Sequence, residues 1–313
     1  MKDMAMPIAL AAMSITIAAS DAKAQSVPDI QDSITQGSQI DEIIRDQDRI
    51  GPQLGEDGNE IDGEAGIYVL RVNEIFYVGA SYGLGYSENP VRSLNNPSDS
   101  FSVNLAAQAG VQTKIAEALD FGISATVAGT EYDQAFAPSS RSINGAINLG
   151  TQIGQSPFYI GTTAFGGFNY DDNFDNGTSF YGASGSLSAG FPIGNRTVVR
   201  PGVGVTRQWS QIEENNSTSA SGSVDVSHAL TQKLIVGATA RVTRTWFDNF
   251  FEDVTFVSRK DWQYGGGANL SYRHSQNLTI GVSAGYEKRD STFFLSEYES
   301  FEASLLFSAR LRF

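Results

Sequence analysis

The 313-residue chain contains no cysteine, which removes disulfides, thiolate metal sites and thiol nucleophiles at once. Charge is sparse, at 18% of residues. Beyond residue 24 no run approaches the ~18 consecutive apolar residues that a membrane-crossing helix needs, so any crossing must be made of strands. What the chain does have is 32 glycines and 41% hydrophobic residues, a mixture that suits alternating strands held by backbone pairing. Its formal charge of -14 argues against nucleic acid as a partner, because phosphate contacts need clustered Lys and Arg.

The acidity is concentrated near the start. Residues 1–24 carry a basic start at Lys2, a short run rich in Ala, Ile and Met, and an Ala22-Lys23-Ala24 ending, the parts of a secretory signal peptide. Residues 25–66 are polar and dominated by Asp and Glu, with Gly and Pro punctuation. They read as an acidic periplasmic segment, either a tether or a short helix on Ile40, Ile43 and Ile44 that docks on a partner or enters a barrel mouth. Residues 67–313 form the third region, a transmembrane β-barrel.

In that region the signal is period-two alternation over segments of ten to fifteen residues. It predicts twelve strands, near residues 75–86, 101–115, 119–131, 141–154, 157–170, 180–191, 197–210, 219–229, 233–246, 259–273, 278–288 and 300–313. The connections alternate between short and long, as in an up-and-down antiparallel barrel with short turns on the periplasmic side. An even count puts both barrel ends on that side. Residues 67–72 are apolar on both faces and leave fourteen strands as the alternative.

In the last segment Phe301, Ala303, Leu305, Phe307, Ala309, Leu311 and Phe313 share one phase, while Glu302, Ser304, Ser308, Arg310 and Arg312 share the other. A soluble sandwich would alternate too, so the position of aromatics decides. Phe76 and Tyr86, Phe158 and Phe168, Tyr181 and Phe191, and Trp262 and Tyr272 are pairs ten residues apart in the apolar phase. Ten residues at ~3.3 Å, tilted by roughly 40°, rise about 25 Å, the height of the apolar band between two aromatic girdles. Trp209 and Trp246 fall at long-loop ends. A sandwich core has no reason to keep its aromatics at two rims.

The terminal Phe313, with Leu311 and Phe307 in phase, resembles the signature read by the β-barrel assembly machinery. Gly85-Tyr86-Ser87-Glu88-Asn89-Pro90 is similar to the G-Y-x-D/E-N-P ending of the first strand in a family of proteobacterial β-barrel porins. That resemblance implies a pore-type or surface-export role.

Chemistry-bearing constellations are few. A barrel phospholipase needs a Ser and a His on the lipid face near the outer leaflet, but His228 and His274 both flank short turns. Asp171, Asn173, Asp175 and Gly177 misplace the glycine of a calcium loop and lack its final Glu. No catalytic residue, metal or cofactor is expected, and no enzyme. The inward phase carries Lys114, Arg200, Arg241, Arg273, Arg310 and Arg312, with Asp120, Asp225, Glu287 and Glu302 as acids. Two readings stay open: a basic ring that favours anions, or lumenal salt bridges that close the barrel. The expected function is therefore a passive channel for small hydrophilic solutes. The alternative is a non-conducting surface or scaffold barrel linked to polysaccharide export or to a periplasmic partner of residues 25–66. Lipid, lipopolysaccharide and the assembly machinery are the other expected partners.

Overall fold

The alternation becomes a closed sheet in the computed structural model, which describes residues 75–90, 99–116, 119–134, 139–170, 177–194, 196–231, 233–248, 259–275, 277–293 and 296–313. The signal-peptide, acidic-segment and 67–72 readings lie outside these residues, as does most of the rejected calcium loop. The strands are β1 (Phe76–Ser87), β2 (Ser100–Ala116), β3 (Leu119–Tyr132), β4 (Ser140–Gln152), β5 (Phe158–Tyr170), β6 (Thr178–Ala189), β7 (Phe191–Ile193), β8 (Thr197–Ser210), β9 (Ser217–Ala229), β10 (Leu234–Phe247), β11 (Lys260–Arg273), β12 (Leu278–Ser291) and β13 (Tyr298–Arg312).

Every pairing is antiparallel. β6 and β7 both pair with β8 and form one spanning strand broken at Gly190, so twelve strands cross. The seam joins β1 to β13, from Tyr77 opposite Arg312 to Ser87 opposite Glu302. With β6 joined to β8 on the far side, the ring closes. Among the described residues closure gives each of the twelve spanning strands a partner on both sides, which is the condition for a sheet in hydrocarbon. It also settles the wall at twelve rather than fourteen, because no strand separates β13 from β1.

Strand limits move by a few residues from the sequence reading. β9 begins at Ser217 rather than 219, and the loop before it is shorter, closed by a 3-10 turn over Glu213–Asn215. β12 runs on to Ser291 and β13 begins at Tyr298, because paired backbone continues past the apolar band. Two short turns use a left-handed backbone at Gly154 (φ 58°) and Gly194 (φ 63°), a conformation that disfavours a Cβ. In the first, the Ser156 N–H donates to the Ile153 carbonyl at 3.1 Å.

The apolar phase faces outward. Leu105, Ile123, Ile147, Val203, Val282 and Leu311 are among the exposed side chains. The aromatics gather in two belts on this wall. At the long-loop end Tyr86 meets Phe101 at 5.4 Å between centroids, and Tyr181 stacks on Trp209 at 5.4 Å; Phe168, Trp246 and Trp262 lie at the same end. At the short-turn end Phe76 stacks on Phe313 and Phe158 meets Phe191 edge-on, with Tyr272 beside His274. Phe307 faces outward against Tyr82.

Candidate functional site

Because the outer wall between the two belts is largely apolar, the polar phase is turned inward, and most polar side chains converge on the lumen. A cavity of about 300 Å³ lies inside the barrel, lined by Ser102, Asn104, Ser223, Asp225, Thr239, Arg241, Asn269, Ser283, Glu287, Glu302 and Ser304 among others. Glycines such as Gly265, Gly267 and Gly285 share this lining and keep the wall thin.

Charge is distributed unevenly around the ring. The inward faces of β4, β5 and β6 carry none. There Phe165 and Phe180 pack inside the barrel with Ala128, flanked by Ala106 and Ala146. The facing wall, β8 to β13, supplies Arg200, Arg241, Arg259, Arg273, Arg289, Arg310, Asp225, Asp261, Glu287 and Glu302. The passage thus has a neutral, partly aromatic side and a charged side.

At the short-turn end Lys114 lies 3.3 Å from Asp120, and the Tyr159 hydroxyl donates to the same carboxylate at 3.2 Å. Tyr159 reaches it by crossing Gly150, where a Cβ would sit 1.9 Å from the tyrosine oxygen. Arg200 is directly opposite Asp225 in the β8–β9 register, and Thr239 donates to Asp225 at 2.6 Å. Arg310 is buried over the ring of Tyr77. Arg273 is half-buried on the inward phase of β11 and makes no ion pair among the described residues. Arg312 occupies the same phase on β13 by register. Arg241, nearer mid-barrel, approaches Glu287 at 4.0 Å. The predicted lumenal residues therefore share one inner surface, but Lys114 and Arg241 are ion-paired rather than open to a solute.

The long-loop end holds a network that the sequence reading did not pick out. Asp261, 3% exposed, accepts hydrogen bonds from Arg259 Nε at 3.1 and 3.0 Å, from Arg259 Nη2 at 2.6 Å and from Ser291 Oγ at 2.6 Å. Arg289 Nε approaches it at 3.9 Å. Arg289 also covers the ring of the buried Tyr298 at 4.7 Å, whose hydroxyl donates to Glu287. Arg259 lies over Phe247 at 4.2 Å. The phase marked these residues: Arg259 and Asp261 continue Gln263, and Arg289 continues Glu287. Ending the eleventh predicted strand at 288 placed Arg289 in a loop.

Summed over the described inward side chains, the short-turn end has Lys114, Arg200, Arg273 and Arg310 against Asp120 and Asp225. The rest has Arg241, Arg259 and Arg289 against Asp261, Glu287 and Glu302. The first set is net +2 and the second neutral. The two histidines do not enter this surface: His228 faces outward, its Nδ1 2.8 Å from Thr197 Oγ1.

No protein-family model matches the chain, and no curated protein matches it either. Solved structures do. An outer membrane channel from Pseudomonas putida F1 superposes with a TM-score of 0.53 at 9% identity, over 76% of this chain and 96% of that one. The NanC porin gives 0.45 at 9% identity, over 74% and 100%. LpxR from Salmonella typhimurium gives 0.44 at 9% identity, over 72% and 99%. The fold of this chain is that of an outer-membrane β-barrel.

Proposed function

We propose that the chain forms a narrow passive pore in an outer membrane, passing small hydrophilic solutes and favouring anions. The observation that carries this reading is the net positive set at the short-turn end, Lys114, Arg200, Arg273 and Arg310 against Asp120 and Asp225. It opens onto a cavity lined mainly by Ser, Thr, Asn and Gly. Low-dielectric barrel walls focus the field of such charges along the axis, so a small excess biases which ions enter. The outward apolar band between two aromatic belts supports the membrane placement, with short turns periplasmic and long loops extracellular. No reaction, metal or cofactor enters this reading.

The test is conductance of the purified full chain in a planar bilayer under a potassium chloride gradient. A reversal potential of the sign for chloride preference is expected, and R200Q/R273Q moves it toward zero. A bilayer that stays sealed overturns the reading.

A second reading is a non-conducting scaffold barrel. The buried Arg259–Asp261–Arg289 network on the β11–β12 wall at the long-loop end favours it. In that case residues 25–66 engage a periplasmic partner, and deleting them abolishes partner capture without affecting insertion. Capture that survives the deletion removes this second reading.

A further inference from the structure

Arg244 is out of place. It stands on the outward phase of β10, between Val242 and Trp246, one of a few outward charges near the long-loop belt, with Arg141, Arg207, Lys260 and Lys288. A guanidinium there needs a counter-charge or water. Its guanidinium carbon lies 4.7 Å from the ring centre of Trp262 and 5.9 Å from that of Trp246, so two indole faces hold it in position. No carboxylate pairs with it among the described residues.

The neighbouring acids on this wall are engaged elsewhere. Asp248 takes Arg207 Nη1 at 2.8 Å, and Asp290 takes Lys288 at 3.4 Å. A second cation stands close by: Lys260 is directly opposite Trp246, and Arg244 is opposite Trp262. The two cations are thus diagonal neighbours across the β10–β11 pair, with Cβ atoms within about 8 Å of each other. Beside Arg244 the wall has a shallow, open groove lined by Ala220, Gly222, Val242 and the two tryptophans.

We infer that this groove binds the phosphorylated headgroup of an outer-leaflet lipid. Arg244 and Lys260 grip the phosphate, and an acyl chain lies down the wall over Val242. The inference rests on the membrane-spanning reading, which places the long-loop belt at the level of lipid headgroups. An anionic lipid fits better than a protein because the groove sits in an apolar wall flanked by girdle aromatics. Arginine's planar fork binds phosphate oxygens in pairs, and the two indoles hold that fork at the long-loop belt.

The full chain is refolded into phosphatidylcholine vesicles containing lipid A, into vesicles containing lipid A stripped of its phosphates, and into vesicles of phosphatidylcholine alone. Gel mobility before and after heating reports insertion. Native mass spectrometry after detergent extraction reports retained lipid. Phosphorylated lipid A is expected to be retained about tenfold more than the stripped form. R244Q removes the preference, R244K keeps part of it, and R141Q leaves it unchanged, since Arg141 is an outward arginine already paired with Glu131. Inorganic phosphate in the buffer does not compete.

Equal retention of both lipid A forms by a properly inserted barrel overturns the site while leaving the barrel reading intact. So does a preference untouched by R244Q, or one abolished by free phosphate. Failure to insert in any vesicle overturns the membrane reading, and this site with it.

Discussion

Arg310 lies over the ring of Tyr77 across the seam where the last strand meets the first, its guanidinium carbon 3.7 Å from the ring centre. Both side chains are buried in the lumen. Tyr77 has room to lie flat because Gly110 is beneath it, where a Cβ would come within 2.6 Å of the ring. The contact therefore ties β2, β1 and β13 together at the one junction joining the two ends of the sheet. A desolvated cation–π contact is worth roughly 2 kcal/mol. Y77L and R310M are each expected to lower the urea midpoint of the vesicle-inserted barrel. In a double-mutant cycle the two losses should be less than additive, and strictly additive losses would show that the stacking contributes nothing.

Asp261 is expected to control the long-loop end. Removing it takes from the buried Arg259 its hydrogen-bonded carboxylate and from the buried Arg289 a nearby counter-charge, and breaking a buried pair in this way costs about 3–5 kcal/mol. D261A should loosen that end, and the unit conductance of the pore should rise. If D261A lowers stability but leaves conductance unchanged, the network is structural and the constriction lies elsewhere.

At the first strand of the second hairpin, the Asp133 carboxylate just beyond β3 accepts from Ser100 Oγ at 2.7 Å and from the Phe101 N–H at 2.9 Å. The Ser100 hydroxyl, followed by the Phe101 amide and Gln134, holds its pKa below the ordinary carboxylate value. A depressed carboxylate stabilises the folded state above its unfolded pKa and loses that contribution as pH falls through its folded pKa. Hydrogen-exchange protection of the Phe101 amide, corrected for intrinsic exchange, should hold steady at neutral pH. It should drop only in acid, below the range where an ordinary aspartate takes up its proton. D133N should abolish the pH dependence, and a midpoint at neutral pH would contradict the assignment.

Phe313 and Phe76 exchange backbone hydrogen bonds of 3.0 and 3.1 Å at the foot of the seam, with their rings 6.3 Å apart. The stacking is mutual, so F76A and F313A should lower vesicle stability by similar amounts, on the order of 1 kcal/mol. If Phe313 is also read by an assembly machinery, only F313A should reduce the amount assembled in cells. Equal loss in cells for both variants would leave the terminal residue with a seam role alone.

The closed barrel was legible in the chain because lipid imposes a two-way choice on every strand residue. Phe301, Leu305 and Leu311 could be assigned to the wall, and Ser304, Ser308 and Arg310 to the interior, from phase alone. The same rule places two aromatics in the interior. Phe165 is out of phase with Phe158 and Phe168, and Phe180 is out of phase with Tyr181, so both had to face inward. They build the neutral wall of the lumen on β5 and β6. Asp261 is in phase within the predicted strand 259–273, whereas Arg289 lies where its strand extends past the apolar band and hydrophobicity no longer marks the end.

Taken alone, the sequence determined which side of the sheet each strand residue occupies, because successive side chains of a pleated strand must point to opposite faces and only one face tolerates hydrocarbon. It did not determine which inward charges meet. Whether Lys114 finds Asp120, whether Arg289 reaches Asp261, or whether Arg244 is left on the outside between two tryptophans depends on register, strand length and curvature. Those follow from closing all twelve strands into one ring, a constraint that no single strand carries.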